Sequence, residues 1–205
     1  MSSAVTIKSP SLDNWFSNDA QFHDLYPDFI QKLADKHWTP LNIARKAVQF
    51  LAPREAVRVL DIGSGVGKFC LSAAHYKRDA FFYGIEQRQD LVRRAETAKN
   101  ILGLSNVSFI HGNFTQLNLK NYNHFYFYNS FFENLDGEDK IDNSILYSES
   151  LYNYYNRYLN TQLGEMPAGT RIATYCSPDN EIPPGYDLVE THVENLLKFW
   201  IKNDR

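Results

Sequence analysis

The stretch Val59-Leu60-Asp61-Ile62-Gly63-Ser64-Gly65-Val66-Gly67 constrains the fold more than any other part of the chain. A run suited to a buried strand passes through an acid into Gly-x-Gly-x-Gly, and Lys68 to Tyr76 then follows a helical pattern. A buried strand that turns sharply into a helix opens an α/β unit with a parallel sheet. Glycine permits the tight turn and lets the backbone approach a ligand closely. The first N–H groups of the helix are unpaired at the same place. In open α/β sheets, ligands bind there, at the carboxyl ends of the strands.

The rest of the chain repeats that unit. Strands are expected at Val57–Ile62, Ala80–Ile85, Val107–His111, His124–Tyr128 and Arg171–Cys176, and two more, Tyr186–Val193 and Leu196–Lys202, form a closing hairpin. Helices are expected at Gln89–Leu102, stopped by Gly103, and at about Ile141–Leu163. Before the first strand, Asn18–Asp35 has helical spacing interrupted by Pro27. A further helix begins at Thr39 as N-cap with Pro40 in its first turn, and ends at Pro53. About the first 12 residues read as a loose arm. We expect residues 1–38 to form an arm and helical lid, and residues 39–205 to form the ligand-binding core of a single domain.

The acids decide which ligand the turn suits. Glu86 ends the second strand, where a carboxylate can accept both ribose hydroxyls of a nucleoside. Dinucleotide folds use G-x-G-x-x-G to bring a pyrophosphate onto the helix start. The spacing here is G-x-G-x-G, and Asp61 two residues before it would repel a pyrophosphate but suit an ammonium group. A phosphate-binding loop fails too, because Phe69 stands where Ser or Thr is required after Lys68.

The segment VLDIGSGVGKF resembles motif I of the class I S-adenosylmethionine-dependent methyltransferases, and IEQR resembles the strand end that holds their ribose. The resemblance runs from about Thr39 to Lys202. It implies a three-layer, Rossmann-like α/β sandwich, with a seven-stranded, mostly parallel sheet in the order 3-2-1-4-5-7-6 and helices at the N-terminus. It implies S-adenosylmethionine as cofactor, S-adenosylhomocysteine as product and no metal. By the family pattern, Gly63, Ser64, Gly65 and Gly67 line the methionine and ribose portion, and Asp61 faces the amino group. Glu86 binds the ribose, Gln87 lies against the adenine, Asn113 holds the adenine amino group through its amide oxygen, and Phe114 covers the base. Family members commonly carry Asp where Asn113 stands, and Asn also favours turns in its own right.

Tyr128-Asn129-Ser130-Phe131-Phe132 follows strand four and is more loosely similar to the Asn-Asn-Phe-x-Phe stretch of the non-SET histone lysine methyltransferases, whose glycine turn is also similar. That places the chemistry at Asn129, whose amide oxygen would orient an N–H, with aromatic walls from Tyr128, Phe131 or Trp38. A strand-end cap is the alternative for Asn129, and a buried staple is the alternative for Trp38. Glu133, His37 and His111 are the candidate bases.

Composition limits the rest. Net charge is -3, which gives no nucleic-acid signature and favours a small-molecule or protein acceptor. The six His and two Cys show no metal-ligand spacing. No apolar run is long enough to span a membrane and no secretory signal is expected, so the expected home is cytoplasmic. A non-catalytic module that binds S-adenosylmethionine or S-adenosylhomocysteine is the alternative function.

Overall fold

The computed structural model describes residues 12–135, 137–138 and 140–204. Most of the N-terminal arm expected from the sequence lies outside the described residues. Seven strands form one sheet in the order β3-β2-β1-β4-β5-β7-β6. They are β1 (Arg58–Ile62), β2 (Phe81–Glu86), β3 (Val107–His111), β4 (His124–Tyr128), β5 (Arg171–Tyr175), β6 (Tyr186–His192) and β7 (Leu197–Lys202). Strands β1 to β5 pair in parallel, and β7 is antiparallel to both β5 and β6. The expected fold class and strand order therefore hold.

The layers follow from the pleat. Successive side chains of a strand face opposite sides, so Val59 and Tyr126 join one core while Leu60, Phe125 and Phe127 join the other. The first core takes the apolar faces of α5 (Leu41–Leu51), α6 (Lys68–Tyr76) and α7 (Gln89–Leu102). The second takes α8 (Glu149–Gly164) through Tyr155, Leu159 and Leu163. Gly103 ends α7 in the left-handed conformation (φ 62), as its position predicts.

Three expectations about the helices need correction. The Asn18–Asp35 segment breaks at Pro27 as expected, but into three short helices in place of two, α2 (Asp19–His23), α3 (Asp28–Gln31) and α4 (Ala34–His37), preceded by α1 (Leu12–Trp15). Pro27 starts α3 and separates it from α2. Thr39 does not cap α5. Its buried hydroxyl pairs with that of Tyr126 at 2.8 Å, and the first helical N–H, that of Leu41, goes to the Asp19 carboxylate instead. Nor does α8 begin at Ile141. It begins after Ser148, whose hydroxyl accepts from the Leu151 N–H. Ile141 and Ile145 imitate helical spacing but line a cavity.

In-step ends of β1, β2 and β4 build that cavity. Ile62 pairs with Ile85 on one side and with Phe127 on the other. The glycine turn, Glu86 and Tyr128 thus leave the sheet at one level.

Candidate functional site

A cavity of about 340 Å³ lies over these strand ends. Its wall includes Gly63, Gly65, Glu86, Gln87 and Phe114 on one side and Tyr128, Asn129, Phe132 and Glu133 on the other. Beside it is a chamber of about 20 Å³ lined by Asp61, Ser64, Lys68 and Tyr126. His37, Trp38, Gly63, Val66 and Tyr128 border both spaces.

The glycine turn is fixed by β2. The N–H groups of Gly63 and Ser64 both donate to the Ile85 carbonyl at 3.0 Å, and the Gly65 N–H donates to Glu86 Oε2 at 3.1 Å. Gly67 has φ +84, and a Cβ there would meet the Phe109 ring at 2.5 Å. The turn therefore needs glycine at Gly67 for conformation and for space together. At Gly65 nothing lies within 4 Å of an added Cβ, so the backbone is open towards the cavity. Gly84 in β2, which the sequence reading passed over, has its own reason. A Cβ there would meet the Ser64 Oγ at 2.6 Å.

Glu86 is 5% exposed. Besides the Gly65 N–H it accepts the Arg88 N–H at 2.9 Å and the Arg88 guanidinium at 3.3 Å, both on Oε1. Arg88 enters the sequence reading only as the last residue of IEQR, with no role of its own, yet it is buried among Glu86, Glu133, Asp142 and Tyr147. Burial works against its charge, but the Glu86 and Glu133 carboxylates outweigh that and raise its pKa. Glu133, named above as a base, is held by this guanidinium and by the Tyr147 hydroxyl.

Asp61 is buried, and burial pushes its carboxyl up to about 8. The Cys70 thiol, 3.6 Å away, offsets a little of this, and the Glu86 charge adds to it. Lys68, across the same chamber, is 4% exposed. Burial lowers its pKa, while an ion pair with Asp19 opposes the drop. His23 approaches the Lys68 ammonium at 3.0 Å, and the Trp38 ring lies 5.7 Å from it. Lys68 is a second residue that the sequence reading missed, since its partners lie 45 and 49 positions away.

Trp38 is 5% exposed and packs its edge against Tyr26 while bordering both spaces, so it is a core residue and a cavity wall at once. Phe114 lines the cavity and stacks on Phe131 at 5.2 Å. Asn113 behaves differently from the family role expected of it. Its amide oxygen accepts from the Thr115 N–H at 3.1 Å and lies 3.0 Å from the Thr115 hydroxyl, so the oxygen meant for adenine caps a turn. Its amide NH2 donates to Gln87 Oε1 and to the Tyr155 hydroxyl.

Asn129 has φ 46, the left-handed region that few non-glycine residues adopt. Its backbone N–H reaches the Ser177 hydroxyl at 3.3 Å. Its side-chain Oδ1 is buried without a partner, and so is the Ser64 Oγ. Orphaned buried polar atoms are rare and call for an explanation. These two border the cavity and the chamber respectively.

Residues 53–150 match a family model described as a methyltransferase domain. That segment, just under half of the chain, is similar to a methyltransferase domain. A tRNA (guanine-N(7)-)-methyltransferase of Synechococcus sp. (strain JA-3-3Ab) is 50% identical over 54 residues, which are 26% of this chain and 23% of that protein. A 23S rRNA (uracil(1939)-C(5))-methyltransferase of Haemophilus ducreyi is 31% identical over 101 residues, 48% of this chain and 21% of that one. The chain thus spans less than a quarter of the length of these curated relatives. Among solved structures, an RNA methyltransferase from Salinibacter ruber in complex with S-adenosyl-L-homocysteine has a TM-score of 0.56 at 20% identity, covering 82% of this chain and 95% of its own. The magnesium protoporphyrin IX methyltransferase of Synechocystis PCC 6803 with bound SAM has a TM-score of 0.56 at 15% identity, covering 98% and 100%. At such identities these structures speak for the fold alone. No helix among the described residues is long and apolar enough to cross a membrane.

Proposed function

We propose that this protein is an S-adenosylmethionine-dependent methyltransferase, with the cofactor across the glycine turn and the acceptor at Asn129. The observation that carries the reading is the pairing of an open glycine turn with Glu86, one strand away at the same level.

The residues present fit the cofactor part by part. Glu86 would accept the ribose hydroxyls, taking up lone pairs that now meet the Gly65 and Arg88 N–H groups. Phe114 and Gln87 would flank the adenine, and the orphaned Ser64 Oγ would gain a partner. An amino-acid end carries both charges, and the chamber offers both complements, Asp61 for the ammonium and Lys68 for the carboxylate. When bound, the cofactor supplies a methyl group on an electron-poor sulfonium. The helices of residues 12–38 form the outer wall of the methionine end, through Trp38.

The chain's task is then alignment. The unpartnered Asn129 Oδ1 can accept an N–H of the acceptor and hold the nitrogen lone pair towards the methyl group. Tyr128 acts as a neutral wall. Burial pushes its hydroxyl up to about 12, and the hydroxyl donates to the Lys36 carbonyl at 2.9 Å. The acceptor suited to this corner is a flat nitrogen-bearing ring. The tRNA and rRNA methyltransferases among the relatives favour an RNA base. The net charge of -3 favours a small ring amine over a polyanion. A reducing, cytoplasmic setting suits the free thiols Cys70 and Cys176.

One experiment tests both halves. Calorimetry with S-adenosylmethionine and S-adenosylhomocysteine is followed by transfer of a labelled methyl group to total tRNA, ribosomal RNA, basic peptides and small ring amines. Failure to bind either nucleoside at millimolar concentration overturns the cofactor reading. Binding without transfer to any acceptor overturns the transferase reading. Label in RNA or in the ring amines decides between the two acceptor classes.

A further inference from the structure

Arg88 stands where the two sides of the cavity meet. A guanidinium carries its N–H groups in a rigid planar fork and can serve several acceptors at fixed angles. Here Nη1 reaches Glu86 at 3.3 Å and Nε reaches Asp142 at 3.3 Å. Nη2 pairs with Glu133 and reaches the Tyr147 hydroxyl at 2.7 Å. These partners lie 2, 54, 45 and 59 positions away in sequence. One of them is the acid at the ribose end. The other three belong to the chain after β4, on the acceptor side. Residues 141–148 have no helix or strand of their own to hold them. What fixes them is Asp142, braced by Ser144, and the Tyr147 hydroxyl, which also lies 3.0 Å from Glu133 and 2.7 Å from the Asp142 carbonyl.

We propose that Arg88 is a positioning residue that couples occupancy of the ribose end of the cavity to the packing of the acceptor wall at Glu133, Asp142 and Tyr147. The inference rests on Glu86 being the ribose acid, as argued above. Three carboxylates share one buried guanidinium, Glu86 from inside and Asp142 from the exposed side. Ribose hydroxyls that donate to Glu86 compete with its long bond to Nη1. The guanidinium is then left to Glu133, Asp142 and Tyr147, and it draws them in. Coupling of this kind is reciprocal. A filled ribose end favours a closed acceptor wall, and a closed wall favours a filled ribose end.

Hydrogen exchange read by mass spectrometry on peptides covering 141–148, with and without saturating S-adenosylhomocysteine, tests this. In the wild type the nucleoside should slow exchange there by about tenfold. Arg88→Lys keeps the charge but not the fork. It should bind the nucleoside with less than about fivefold loss and keep native exchange in β1 to β3, while the slowing in 141–148 falls to about twofold or less. Tyr147→Phe cuts the same link from the far side and should reduce the slowing in the same direction, which keeps the test valid if Arg88→Lys does not fold. Equal slowing in wild type and in either folded variant overturns the proposal. Wild type that binds the nucleoside without any slowing overturns the coupling alone. Wild type that does not bind it, seen by calorimetry, overturns the cofactor reading and the coupling with it.

Discussion

The two sides of the cavity are built by different means. On the cofactor side the frame is backbone, a turn held by hydrogen bonds to the neighbouring strand, with Gly67 required for both conformation and space. On the acceptor side they are side chains, an orphaned amide at Asn129 and a charge cluster that joins Arg88 to Glu133, Asp142 and Tyr147 after β4. A backbone cradle suits one ligand part common to many enzymes. A side-chain wall can change with the substrate while the cradle stays as it is. The contrast teaches that the cofactor should be named more securely than the acceptor, and it can be broken by substitution on either side.

The largest effect is expected from Gly67→Ala. Left-handed backbone and the overlap with Phe109 together should cost roughly 2–5 kcal/mol of stability, read by chemical denaturation. A variant as stable as wild type would show that the cradle is not rigid. Next, Asn129→Ala should lower turnover by about a hundredfold with cofactor affinity unchanged, as loss of alignment does. Equal loss of both would move Asn129 to the cofactor side. Glu86→Ala should weaken nucleoside binding by about 1–3 kcal/mol, measured by calorimetry. An unchanged dissociation constant removes the ribose role.

The smallest effect is a proton. Asp61 is raised to about 8 by burial, so in the empty protein it is mainly protonated at neutral pH. The folded state then holds a proton that the unfolded chain has released. Its contribution to stability is therefore greatest at low pH and declines as pH rises from the ordinary carboxylate range to about 8. An ammonium placed beside Asp61 favours the ionised form. Binding at pH 7 should release up to about one proton, seen as an enthalpy that varies with the buffer, and affinity should rise between about pH 6 and 8. Asp61→Asn should abolish the release. If the release persists in that variant, the ammonium is held elsewhere.

The sequence reveals what is local. Gly103 and Gly67 are legible because their backbone conformation demands glycine, and Glu86 because it ends a strand. Alternation plus a closing hairpin gives a mostly parallel sheet, and its strand order is the one that the methyltransferase resemblance implies. Thr39 misleads because a local capping rule competes with a buried tyrosine hydroxyl 87 positions away, and the tertiary partner wins. Asn113 looks like an adenine ligand, yet a bond to the N–H two residues on uses its oxygen first. Lys68 and Arg88 stand inside the quoted motifs, but their burial and most of their partners are not legible there. Each is a cation buried by partners that only the folded chain supplies.

The in-step register of β1, β2 and β4 sets where the chain can tolerate length changes. One residue added inside β2 would carry Glu86 about 3.3 Å along the strand and turn it to the opposite face, away from Gly65. The links at the other end of the sheet, residues 77–80 and 103–106, touch none of the cavity wall. Insertions and fusions belong at their exposed positions, Arg78, Asp79 and Ser105, clear of Asn106, whose amide ties the Ala74, Lys77 and Ala80 carbonyls together. A library built on this scaffold should therefore vary the chain after β4 and the links at the far end, and hold the three strand ends at constant length.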